Sequence, residues 1–160
     1  MIVLFRALTY ATLFIGLMLV LVPQQILAEA GINRPARLGV VEAAGLALLF
    51  AGGLLALWSV FAFALIGRGT PAPFDPPRRL VVGGPYRWVR NPMYIGAGLV
   101  LLGAAMFYGS IGLVLYAVAF WSAAHLFVLY YEEPALRRTF GPEYDAYVHS
   151  RRRWMPRWRS

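Results

Sequence analysis

Two short polar stretches set groups that can bind or move charge beside the long apolar runs of this chain. One is Gly83–Tyr94, reading GGPYRWVRNPMY, and the other is Tyr131-Glu132-Glu133-Pro134. Asn91-Pro92 opens an apolar run, and asparagine is favoured as a helix N-cap and proline at the first helical position. A helix start carries partial positive charge and free N–H groups. Arg90 adds a full charge beside it, so the pair makes a seat for a carboxylate or phosphate. Tyr94, four residues on, is expected on the same side as Arg90. Glu132 and Glu133 stand at the finish of another apolar run, where a helix is already partly negative. Two carboxylates there call for a cation. That cation is an arginine (Arg87, Arg90, Arg137 or Arg138) or a ligand ammonium or sulfonium. The two stretches are expected to meet in space and hold one ligand between them.

His125 is the only ionisable group deep in an apolar run, and Ser122 and Glu132 fall on its face of a helix. Such a residue turns toward the protein interior or a cavity. It serves either a hydrogen bond to another helix or the chemistry of a bound acceptor. The chain has no cysteine and no lysine, all 15 basic residues being arginine. Disulfides, thiolate nucleophiles and cysteine-ligated metals are therefore excluded. No GxSxG, Walker A or metal-spaced histidine cluster occurs, and no metal is expected. Gly83-Gly84 lacks the spacing and the βαβ setting of a dinucleotide fingerprint.

The elements that position these groups are apolar. The hydrophobic fraction is 60% and the mean hydropathy +0.62, against roughly 45–50% in soluble domains. One membrane-embedded domain over residues 1–160 follows, all-α, with four spans at about 4–22, 38–66, 92–108 and 111–131. The first run, Ala7–Val22, is expected to stop at Pro23 and a polar loop to follow over Gln24–Arg37. The rival for that run is a signal peptide cut near Ala28-Glu29-Ala30. Gly45, Gly52 and Gly53 on the second run, and Gly96 and Gly103 on the third, are spaced for close helix approach in lipid. Gly69, Pro71, Pro73, Pro76 and Pro77 forbid a continuous helix across the connection between the second and third runs. Gly109-Ser110 is expected to turn the third run into the fourth. Pro134, Gly141 and Pro142 divide the tail, 132–160, into two short helices. Tyr144, Tyr147, Val148 and Arg151 recur there at a spacing that suits a helix lying on the membrane surface, and Trp154 and Trp158 suit its interface.

The net charge of +8 points to anionic lipid headgroups rather than nucleic acid. Thirteen arginines fall on the side of the N-terminus, the 67–94 connection and the tail; only Arg34 and Arg37 fall on the other. Arginine bias puts the richer side in the cytoplasm. Both termini and both polar stretches are thus expected there, with the chain in the inner membrane of a bacterium.

The string GPYRWVRNPMYIG, followed by EEPALRRTFGPEYDAY and then RRRWMPRW, resembles the isoprenylcysteine carboxyl methyltransferase family. Phospholipid N-methyltransferases are similar in the same region, about Leu80–Trp158. Where that family has Arg-His-Pro, this chain has Arg90-Asn91-Pro92. The resemblance implies an S-adenosylmethionine-dependent methyltransferase with its cofactor site at the cytoplasmic helix ends, built from the 67–94 connection and the tail. Carried over, Gly84, Tyr86, Arg90, Asn91 and Tyr94 line the cofactor from one side, and Glu132 and Glu133 meet its amino group from the other. Arg90, Glu133 and Arg138 are the catalytic candidates, with Arg138 orienting an anionic acceptor. His125, Tyr144 and Tyr147 are the acceptor-side candidates. The acceptor is a lipophilic or small molecule bearing a carboxylate, amine or thiol, entering from the bilayer. Two rival functions stand beside this one. A sterol-type membrane reductase with NADPH shares the Arg-x-Pro-x-Tyr pattern, and a non-catalytic protein would use its arginines only to grip anionic lipid.

Overall fold

The computed structural model describes residues 9, 13, 16–33, 35, 39–67 and 78–156. The expectations for residues 4–8, for Arg6, Arg34, Arg37 and Arg68, for the connection's glycine and prolines up to Pro77, and for Arg157, Trp158 and Arg159 lie outside them. Among the described residues the chain is helical with no strand. Four apolar helices pack antiparallel in sequence: α1 Gly16–Glu29, α2 Val40–Gly67, α3 Pro92–Tyr108 and α4 Ile111–Phe127. α4 runs on through a widened π-helical turn, Val128–Glu132, into α5, Glu133–Phe140, and α6 spans Pro142–Ser150.

The continuous helices Val40–Gly67 and Ile111–Phe140 are long and apolar enough to cross a bilayer. Only 33% and 28% of their most apolar windows are buried. A core helix of a soluble protein hides most of its apolar surface; these helices expose it, as Phe50, Leu54, Leu65 and Leu115 do. At 30 residues, Ile111–Phe140 is about 45 Å long, against a hydrocarbon core of about 30 Å. Its apolar part ends at Tyr131, and Glu132 onward lies past it.

Glycine decides how closely α2 and α3 pack. A Cβ added at Gly45 would sit 2.8 Å from the Gly103 carbonyl oxygen, and one at Gly52 2.6 Å from that of Gly96. Gly96 and Gly103 reciprocate, against Gly52 and Ala56 and against Gly45 and Leu49. The expected close contact is therefore backbone on backbone. Gly53 differs from its neighbour, with nothing within 4 Å of an added Cβ.

Between α3 and α4 the contact is a hairpin. Gly109 takes the left-handed conformation at φ 61°, which glycine adopts without a Cβ penalty. Ser110 Oγ then caps α4 by accepting from the Leu113 N–H at 3.3 Å. At this end α1 closes the bundle through Leu27, packed with Ala105 and Leu113. Higher up, Tyr116 donates to the Met18 carbonyl at 2.9 Å.

Two prolines do not stop their helices. α1 continues through Pro23 to Glu29, so the expected loop over Gln24–Arg37 begins later, at a turn containing Gly31 with φ 67°. Pro134 likewise stands inside a continuous path from α4 to α5. Proline lacks an N–H and crowds the carbonyl one turn back. In both places a π-helical turn immediately precedes the helix segment that holds the proline, Gly16–Leu21 and Val128–Glu132. The wider turn takes up the missing bond and the bulk of the ring. The tail forms the two short helices expected, Glu133–Phe140 and Pro142–Ser150, parted at Gly141 with φ 49°.

Candidate functional site

The end of the bundle opposite the Gly109-Ser110 hairpin gathers both polar stretches. Leu80-Val81-Val82 is non-helical and leads through an extended Gly83 into a 3-10 turn, Gly84–Arg87. Val81 and Tyr86 pack on Ala62 near the end of α2. Gly84 adopts φ 59° and lies against Ala62 and Trp58. It shapes the turn and does not line the cavity beyond it. Tyr86 is buried, and its hydroxyl is held well above the ordinary range by burial and by the charge on Glu132.

From this turn the chain enters α3. Asn91 is buried but makes no capping bond to the helix. Its Nδ2 donates instead to the Arg153 carbonyl at 3.4 Å. The expected N-cap thus serves as a tether for the tail. Arg90 Nη1 donates to Glu133 Oε1 at 2.9 Å and to the Tyr144 hydroxyl at 3.5 Å. Tyr94 donates to Glu132 Oε2 at 3.2 Å. Arg90 and Tyr94 each take one of the two adjacent glutamates, so the stretches expected to meet do meet.

Glu133 has a second partner. Arg153 Nε and Nη2 fork onto its two oxygens at 2.6 and 3.0 Å. Burial alone would raise the Glu133 carboxyl. The hydrogen bond from Arg153 and the charges of Arg90 and Arg153 outweigh that and hold it below the usual range. Arg153 was not among the expected partners, whereas Arg138 was. Arg138 is exposed on α5 and does not line the cavity. Sequence proximity favoured Arg138; only the return of the tail over α3 brings Arg153 to Glu133. The one available signal was the RRRW run itself.

Glu132 is in the opposite state. Burial and the neighbouring Glu133 charge push it up to about 7, against a smaller downward pull from the Tyr94 hydrogen bond. A carboxyl that titrates near neutrality beside a cleft is a recognised mark of a functional site. The aromatic floor comes from α6. Tyr144 and Tyr147 are buried with Leu80 and pack on Leu136 and Phe140. α6 therefore turns its tyrosines into the protein rather than onto a membrane surface. Tyr147 donates to the Tyr86 carbonyl at 2.7 Å. Burial and the Glu133 charge push the Tyr144 hydroxyl up to about 12.

These groups line a cavity of about 20 Å³, bounded by Arg90, Asn91, Glu132, Glu133, Tyr144 and Tyr147 among others. That is room for about one water. His125 lies apart from it. Trp154 Nε1 donates to His125 Nδ1 at 3.1 Å, which leaves Nδ1 as an acceptor nitrogen. Of the two uses expected for His125, the structure shows a hydrogen bond, to the tail rather than to another helix. Among the described residues no group of histidine, aspartate and glutamate is arranged to hold a metal ion.

A family model described as phospholipid methyltransferase matches residues 40–143. The chain belongs to that family. It is a membrane methyltransferase, and the match covers α2, the 3-10 turn, α3, α4, α5 and the start of α6. No curated protein and no solved structure matches the chain significantly. The matched region of this phospholipid methyltransferase family member includes Arg90, Tyr94, Glu132 and Glu133 and ends just before Tyr144. The strap that supplies Arg153 and Trp154 lies beyond it.

Whether the residues fit the methyl donor of such an enzyme is tested by Arg90. Its Nε is a buried N–H without a hydrogen-bond partner, and a buried donor left unpaired costs about 1–3 kcal/mol. A carboxylate placed there would satisfy it. Glu133, a buried residue whose carboxyl is held charged by its arginine partners, suits an ammonium. The donor set matches a zwitterionic amino-acid group, while the cavity as it stands is smaller than such a ligand.

Proposed function

We propose that this chain is an S-adenosylmethionine-dependent methyltransferase of the isoprenylcysteine carboxyl methyltransferase type, acting on an amine-bearing phospholipid headgroup at the cytoplasmic face. The observation that carries this reading is the direct contact of Arg90 and Glu133, 2.9 Å apart though 43 residues separate them. An acid–base pair of this kind is an internal copy of the cofactor's own zwitterion. Arg90 would take the cofactor carboxylate and Glu133 its ammonium, with Tyr86 and Tyr94 at its sides. When bound, the cofactor supplies an electrophilic methyl group on a sulfonium.

The protein's contribution is placement and exclusion of water, which dominate an in-line displacement. The buried Tyr144 and Tyr147 keep the floor dry and offer aromatic faces to a cation, worth about 0.5–2 kcal/mol. An amine acceptor must shed a proton before it attacks. Glu132, poised at about 7, is the base best placed to take it. His125 is less suited, since it does not line the cavity. All four apolar helices would cross the bilayer, α1 and α3 as the shorter pair, with both chain ends cytoplasmic.

The test is thermal stabilisation of detergent-purified protein by S-adenosylhomocysteine and, separately, by NADPH. Stabilisation by the first alone is expected. Arg90→Ala and Glu133→Ala should each remove it while membrane insertion persists. Undiminished stabilisation in both variants would refute the site, and stabilisation by NADPH alone would transfer the chain to reductase chemistry. Labelled methyl transfer into vesicles with and without a primary-amine phospholipid then tests the acceptor.

A further inference from the structure

Three guanidinium hydrogen bonds already fill most of the acceptor positions of Glu133. Arg153 forks onto both oxygens and Arg90 adds a third bond, while the cavity admits about one water. Ligand pockets run to about 300–1,000 Å³, so something must leave before anything of that size enters.

The pieces around the cavity differ in how firmly they are held. Glu133 belongs to a helix continuous with α4. Arg90 is fixed at the entry to α3, and α6 is held by two buried tyrosines. The segment 151–156 is different. It is non-helical and leaves Arg152 and Met155 exposed. Besides the Arg153 fork, separable contacts hold it down. The Arg90 N–H donates to the Arg152 carbonyl at 3.0 Å. Asn91 Nδ2 donates to the Arg153 carbonyl. Trp154 rests edge-on against Trp121 at 5.0 Å and donates to His125. Segments with few buried contacts are the ones that open at low cost.

We infer that residues 151–156 form a latch, with Arg153 occupying on Glu133 the place that the ammonium of an entering ligand takes and Trp154 pinning the strap to α4. The docked strap and the bound ligand then exclude one another. This rests on Glu133 being the ammonium ligand. Opening swaps one cation for another on the same carboxylate, so Glu133 is not left unpaired in either state. It also frees the backbone positions beside Arg90 and Asn91, at the start of α3.

Arg153→Gln removes the competing cation, and Trp154→Ala unpins the strap without changing any charge near Glu133. Binding of S-adenosylhomocysteine is measured by calorimetry on the full chain in detergent. A site hidden about nine-tenths of the time binds roughly tenfold more weakly than an open one. Both variants are therefore expected to bind up to about tenfold more tightly than wild type. Tryptic cleavage after Arg151–Arg153 should be faster in wild type with ligand than without it. If wild type binds and either variant binds equally or more weakly, the latch is overturned and the cofactor site stands. If wild type binds weakly or not at all and both variants bind, the latch is supported in its strongest form. If neither wild type nor variants bind, the cofactor reading fails and the latch falls with it.

Discussion

Gly52 and Gly53 are adjacent on one helix, and the structure assigns them opposite responses to the same added methyl. An ideal Cβ at Gly52 would lie 2.6 Å from the Gly96 carbonyl oxygen, 2.8 Å from Leu99 Cβ and 2.8 Å from the Val100 nitrogen. Ordinary contact begins near 3.4 Å, so α2 and α3 must separate by roughly 0.6–0.8 Å, and a gap of that size forfeits about a quarter to a half of each dispersion contact it opens. Two of the three atoms are backbone and have no rotamer with which to yield. Overpacking of this sort costs about 1–3 kcal/mol. At Gly53 an added Cβ meets nothing within 4 Å, and alanine is the better helix former by about 0.8–1 kcal/mol. Gly52→Ala should therefore lower the thermal midpoint in detergent, while Gly53→Ala should hold or raise it. The displacement also reaches the site, because Gly96 lies two residues past Tyr94 on α3. Gly52→Ala is expected to weaken S-adenosylhomocysteine binding as well, and Gly53→Ala is not. Equal midpoints for the two variants would mean that the α2–α3 contact is not the backbone-on-backbone packing described.

Two further outcomes follow from the site. Tyr147→Phe removes the hydroxyl that bridges the Tyr86 and Val89 carbonyls at 2.7 and 3.4 Å. Leaving buried carbonyls unpaired should cost about 1–3 kcal/mol, read by thermal melting, and an unchanged midpoint would contradict that bridge. Glu132 has a folded-state pKa raised from 4.5 to about 7, so the folded protein binds more protons than the unfolded chain between those values. The Glu132 contribution to stability should then be full below about pH 4.5 and fall as pH rises toward 7, by about 1–3 kcal/mol. Glu132→Gln should flatten that slope, and a wild-type midpoint that does not fall over the same window would refute the assignment.

Much of the architecture was legible because lipid imposes simple rules. The apolar runs read at 38–66, 92–108 and 111–131 are helices, legible from composition and length. The glycines spaced by seven announced a tight contact, since only glycine permits backbone to reach backbone. Gly109-Ser110 announced its turn through φ and a capping hydroxyl. Pro23 misled: it read as a stop, because a π-helical turn that absorbs a proline leaves no mark in residue type.

The site divides along the same line. Residue types alone determined that Arg90 with Tyr94, at a helix start, and Glu132 with Glu133, at a helix finish, are polar groups on one side of the bundle, since a four-helix path returns every second junction to the same side. Tertiary structure alone decided which partner each would take. A carboxylate accepts any guanidinium within reach, and reach depends on where the backbone returns. The tail comes back across the start of α3, so Arg153 rather than Arg138 closes on Glu133, and Asn91 holds that tail instead of capping its helix. His125 is engaged by Trp154 for the same reason. Local spacing specifies the neighbours of a residue along its own helix, and only the packed chain specifies those across from it.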